Sequence, residues 1–100
     1  MTSATRSEVL PDIPTVSEFV PGYEGTGWQG IAAPRNTPAE IVDKLNREIN
    51  AGLAEPRLKA HIANLGATVF ANSPAEFGTF IAAYTEKWAK VIRAADIKAE

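Results

Sequence analysis

The sequence predicts a helix-rich α/β chain with two short strands, in the order strand–helix–helix–strand–helix. Three observations lead there. Three apolar patterns with spacings of three and four each begin at a proline, the mark of an amphipathic helix start. Two short runs, Trp28-Gln29-Gly30-Ile31-Ala32-Ala33 and Ala67-Thr68-Val69-Phe70-Ala71, lie between glycine and proline boundaries, as strands do. Hydrophobic residues make up 45% of 100 residues, which provides for one small core and at most one domain.

Residues 1–14 are expected to be irregular, because Pro11 and Pro14 hold the residues before them away from helical geometry. Thr15-Val16-Ser17-Glu18 is a capping-box pattern that opens a short helical turn through Phe19, ended by Pro21-Gly22. Gly25, Gly27 and Gly30 punctuate the approach to the first strand, from about 28 to 33. Thr37-Pro38-Ala39-Glu40 repeats the capping pattern, with Pro38 suited to the first helical position. The helix that follows is expected to bury Ile41, Val42, Leu45, Ile49 and Leu53.

Pro56 starts a second helix after a tight joint at Ala54-Glu55, with Leu58, Ile62 and Leu65 on its inner face and Gly66 as a left-handed C-cap. Ala67 to Ala71 forms the second strand, and Ser73-Pro74-Ala75-Glu76 caps the last and longest helix. There Phe77, Phe80, Ile81, Tyr84, Trp88, Val91 and Ile92 make one apolar stripe, while Lys87, Lys90 and Arg93 suit the negative end of the helix dipole. Two short strands alone are marginal in water, so the layout asks for more chain elsewhere or for a second copy.

The chemistry-bearing residues exclude more than they propose. A net charge of −2 gives no basic face for nucleic acid. No run approaches the ~18 apolar residues of a membrane span, and Met1 to Glu8 lacks the pattern of a signal peptide. With no cysteine there is no disulfide, thiol nucleophile or thiolate metal site. His61 is the single histidine and has no acidic partner at a triad-like spacing, so neither catalysis nor a metal site is expected, and no cofactor. Gly25-Thr26-Gly27-Trp28-Gln29-Gly30 spells G-x-G-x-x-G, but a proline–glycine turn precedes it and a strand-like run follows it. The dinucleotide fingerprint needs a strand before and a helix after, so the match is accidental. Trp28 between glycines is either a buried wedge or the wall of a ligand cleft.

Taken in order, Arg6-Ser7, Leu10-Pro11-Asp12-Ile13-Pro14-Thr15-Val16, Pro21-Gly22-Tyr23-Glu24, Trp28-Gln29-Gly30-Ile31, Ala33-Pro34, Thr37-Pro38 and Lys44-Leu45-Asn46 form a specific set. Gly66, Ser73-Pro74-Ala75-Glu76-Phe77 and Lys87-Trp88-Ala89-Lys90-Val91-Ile92 continue it. The set resembles the C-terminal third of the Bug-type receptors, the periplasmic solute-binding proteins of tripartite tricarboxylate transporters. The resemblance implies part of a type II periplasmic-binding-protein lobe, and a receptor and not an enzyme. It implies that small carboxylates are held largely by backbone amides, that membrane transporter subunits are partners, and that the location is periplasmic. It places Tyr23, Trp28, Gln29 and Gly30 near the ligand cleft. The family often has glycine where this chain has Asn36, a residue that tolerates left-handed geometry. About two-thirds of such a receptor would lie upstream, so a cleft closed by two lobes is incomplete in these residues. The alternative is a small self-associating helical protein, a homodimer without ligand.

Overall fold

A computed structural model describes residues 1–98. It has a 3₁₀ turn at Val16–Glu18 and three α-helices: α1 (Ala39–Ala54), α2 (Pro56–Asn64) and α3 (Pro74–Ala94). Among the described residues there is no strand, so the α/β expectation and its two strands at 28–33 and 67–71 are corrected. The reason is physical. A strand is defined by its ladder, and the backbones of residues 27–33 and 68–71 make no backbone–backbone hydrogen bond. Each run has the composition of a strand without a partner to pair with.

Helix boundaries follow local chemistry with one exception. The box at Thr37 to Glu40 does not form. The Thr37 hydroxyl donates back to the Pro34 carbonyl at 2.8 Å, and the Thr37 amide shares that acceptor at 3.2 Å. Asn36 sits at φ 67° inside this tight turn, and Pro38 becomes the N-cap. At α3 the box is complete: Glu76 N–H donates to Ser73 Oγ at 3.2 Å and Ser73 N–H to Glu76 Oε2 at 2.8 Å. Gly66 takes φ 76° just past α2, where its amide and that of Ala67 return to the carbonyls of Ala63 and Ile62.

The helices are joined by polar as well as apolar contacts. Asn46 and Asn50, one turn apart on α1, both donate to the Asn72 carbonyl at 2.9 and 3.0 Å. This fixes the segment leading into α3 against the middle of α1. At the other end of the molecule, Met1 lies beside residues 14–16. Its amino group donates to the Pro14 carbonyl at 2.9 Å, and its carbonyl accepts from Val16 N–H at 2.8 Å. The Arg6 guanidinium grips both oxygens of Glu18 at 2.8 and 2.5 Å, and Glu18 also accepts from Thr15 N–H at 2.9 Å. These bonds hold the Glu18 carboxyl well below its ordinary 4.5, at about 2, with the Arg6 hydrogen bond the largest cause.

Among the described residues no apolar side chain is buried, and Thr15 alone is. The inner face of α1 is Val42, Asn46, Ile49, Asn50 and Leu53, whereas Ile41 and Leu45 stand outside it, contrary to expectation. Leu58 of α2 and Leu65, its C-cap, are likewise exposed, the latter at 73%. The radius of gyration is 16.6 Å, against about 13 Å for a compact domain of this length. The accessible surface is 8374 Å², against about 5,500 Å² for a compact monomer of this mass. The expected small core is therefore replaced by half-covered faces.

Two outcomes follow. Replacing Asn46 and Asn50 together by alanine leaves the Asn72 carbonyl without its donors and is expected to cost about 1–3 kcal/mol in urea unfolding. Either single change leaves the other donor in place, so the double loss exceeds the sum of the singles. The Glu18 pKa is depressed in the folded state, so its contribution is full above pH 4.5 and is lost as pH falls toward about 2. The urea midpoint should decline across that window, and less steeply in Glu18→Gln.

Candidate functional site

The residues singled out from the sequence lie on one segment, 23–30, which runs along α3 in the opposite direction to the helix. Successive contacts descend α3 by three or four residues at a time, following its surface periodicity. Lys87 Nζ donates to the Glu24 carbonyl at 3.0 Å and to Glu24 Oε2 at 3.1 Å. Tyr84 Oη donates to the Thr26 carbonyl at 2.9 Å. The Trp28 ring meets Tyr84, Phe80 and Phe77 edge-to-face, with centroids 5.9, 5.5 and 5.3 Å away. Gly30 closes the series against the Phe77 ring.

Gly30 is glycine for space and not for conformation, since its φ is not left-handed. A Cβ there would overlap Phe77 Cζ and lie 3.0 Å from Cε1. Phe77 cannot swing away freely, because it stacks on Phe80 with centroids 6.3 Å apart and packs edge-on to Trp28. Each aromatic pair adds about 0.5–1.5 kcal/mol beyond its buried area, so the cluster helps hold the segment on α3. Lys87, expected to serve the helix dipole, is instead turned onto Glu24. The hydrogen bond from Lys87, helped by Thr26, lowers the Glu24 pKa. Both side chains are more than one-third exposed, so the pair contributes little on its own.

Of the four predicted site residues, the structure brings Trp28 and Gly30 together on α3. Gln29 lies between them, exposed and without a hydrogen bond among the described residues. Tyr23 stands apart, in the turn whose amide returns to Val20 at 3.1 Å, with its hydroxyl near Gly25. Gly22 makes that turn possible at φ 82°. Trp28 is 40% exposed, so it is a lid over the aromatic face and not a buried wedge.

The sequence did not reveal that Glu24, Lys87 and Tyr84 belong to this site, although Tyr84 and Lys87 share the spacing of Phe77 and Phe80. The buried Trp88 indole N–H, which has no acceptor among the described residues, was also not foreseen. His61 is exposed on α2, beside a shallow groove with Glu55, Arg57 and Asn64. Among the described residues no three potential ligands converge on a metal position, and no helix is long and apolar enough to cross a membrane.

The chain thus presents an aromatic helix face covered by an open backbone strap. Its relatives define it further. Residues 1–97 match the tripartite tricarboxylate transporter family receptor, and the chain belongs to that family. It is 35% identical over 94 residues to the UPF0065 protein in the tcbD-tcbE intergenic region of Pseudomonas sp. (strain P51), covering 92% of this chain and 28% of that protein. It is 34% identical over 92 residues to Protein BugT of Bordetella pertussis, covering 91% and 28%. The solved structure of R. palustris Rpa4515 with adipate superposes with a TM-score of 0.85 at 35% identity, covering 95% of this chain and 32% of that one. The chain thus spans less than a third of the length of these relatives, and the fold neighbour agrees with a periplasmic-binding-protein relationship.

Gly30→Ala is expected to destabilise the chain by about 1–3 kcal/mol through overpacking. In a Phe77→Leu background the clash is gone, so the same change should cost much less. A thermal-unfolding double-mutant cycle measures the difference, and additivity of the two changes would refute the contact.

Proposed function

We propose that the chain is a solute-receptor segment of a tripartite tricarboxylate transport system, acting in the periplasm beside membrane transporter subunits. It binds small carboxylates in a cleft completed by further polypeptide. The observation that carries this reading is the family match over residues 1–97. The related R. palustris structure is described with adipate, a linear dicarboxylate, which supports that substrate class here.

In this reading Tyr23, Trp28, Gln29 and Gly30 border the ligand. Among the described residues the backbone amides of residues 28–33 have no hydrogen-bond partner, which leaves them open to donate to a carboxylate. Trp28, fixed by three aromatic neighbours, offers a wall of set orientation at little further entropic cost. The segment needs no lysine or arginine for this, because charge-assisted bonds from N–H groups suffice. The receptor role calls for no catalytic group.

A second reading, a self-associating homodimer without ligand, is favoured by the exposed apolar surface. Phe19, Ile31, Leu65 and Phe70 are each exposed by about two-thirds or more.

An amide-resolved NMR titration with adipate and citrate tests the first reading. Saturable shifts should cluster at residues 23–30 and weaken in Trp28→Ala. A spectrum unmoved by either acid would remove this segment from the binding surface.

A further inference from the structure

We propose that Tyr84 is the positioning residue of the Trp28 wall: its hydroxyl pins the backbone just ahead of that ring and so sets how tightly a carboxylate is held. The proposal rests on the reading that Trp28 borders the ligand.

Hydrogen bonding provides the first observation, because Thr26 is tied to α3 twice. Its carbonyl accepts from Tyr84 Oη at 2.9 Å, and its hydroxyl donates to Glu24 Oε1 at 3.1 Å. The other Glu24 oxygen accepts from Lys87 Nζ at 3.1 Å. Lys87 and Tyr84 are neighbours three residues apart on the helix, so the four residues close one network. Among the described residues the next hydrogen-bonded group along the strap is the Pro34 carbonyl. The Thr26 carbonyl is therefore the last such fastening before Trp28.

Backbone freedom provides the second. Gly25 and Gly27 flank Thr26, and a glycine on each side leaves two soft joints next to a ring that has to stay fixed. The φ of Gly27 lies outside the left-handed region, and no atom of the described residues comes within 4 Å of a Cβ added there. Packing in these residues does not lock the joint. On the upstream side of Trp28 the restraint comes from the hydrogen bond at Thr26.

Side-chain chemistry provides the third. Phe77, Phe80 and Tyr84 all meet the Trp28 ring edge-to-face, and two of the three do so without a hydroxyl. The Tyr84 hydroxyl is thus surplus to ring packing and serves the backbone. Tyr84 holds Trp28 by its ring and, through Thr26, by the chain that carries it. Both contacts are made on the α3 side of the strap, within the chain, and do not depend on the polypeptide that completes the cleft. A wall fixed before binding spares the complex the entropic cost of ordering it.

Adipate titration and NMR relaxation of the Trp28 indole N–H test the proposal in the unmodified chain, Tyr84→Phe and Tyr84→Phe/Gly27→Ala. Tyr84→Phe should keep the helical circular dichroism, loosen the indole and raise the adipate Kd about three- to tenfold, the worth of one hydrogen bond. Gly27→Ala narrows the joint and should recover part of both losses. A Kd that rises only in step with lost helix, with no recovery from Gly27→Ala, marks a structural role and overturns positioning. Unchanged Kd and indole motion in Tyr84→Phe also overturn it, and leave the receptor reading standing. If the unmodified chain binds no adipate, the receptor reading falls and the affinity role with it, while indole motion still decides whether Tyr84 pins Trp28.

Discussion

The close approach of residue 30 to the Phe77 ring constrains everything around it. Because Gly30 has no side chain, the backbone reaches the aromatic face, and Trp28 two residues earlier is then set edge-on to three rings at once. That register also brings the Thr26 and Glu24 carbonyls within reach of Tyr84 and Lys87. A shift of one residue would turn Gln29 and Ile31 onto α3 and release all of these contacts together. The helices themselves depend less on this contact, since α1 and α3 are also linked through Asn46, Asn50 and the Asn72 carbonyl.

Much of the local structure was legible. Pro56, the Ser73–Glu76 box and Gly66 each announce a helix end by chemistry confined to four residues, and each is where it was expected. Asn36 does take the left-handed geometry that its side chain tolerates. Thr37 misled for the opposite reason. Its hydroxyl could accept from the Glu40 amide or donate to the Pro34 carbonyl in the preceding turn, and the second bond is the one that forms. The strands were illegible because β-structure is not local: the residues of 28–33 specify a face and an alternation, but the partner that would make a ladder is not among them. Periodicity likewise identified the aromatic stripe of α3 without saying that a strap, and not another helix, lies over it. Burial was overestimated for Ile41, Leu45, Leu58 and Leu65, because amphipathic spacing shows which residues share a face and not whether anything packs on it.

The chain spans under a third of the length of the relatives named above, and it exposes large apolar residues, Phe19, Ile31, Leu65 and Phe70 among them. Helix ends and turns are completed within the sequence, whereas apolar faces and the two ladder-less runs are not. In energetic terms the short-range hydrogen bonds are largely satisfied and the long-range hydrophobic contribution is largely unrealised.

The strap also has a mechanical character. It is held at discrete points along α3 and ends at its most tightly fitted one, Gly30 on Phe77, just before the free run that leads to α1. Force applied from the residue-34 side loads that point first, then Trp28, then Tyr84 and Lys87, so the strap opens like a zip, one fastening at a time. Force directed along the axis of α3 loads all the fastenings in parallel and meets far greater resistance. A domain attached through such a strap would yield readily to bending and stay stiff to sliding.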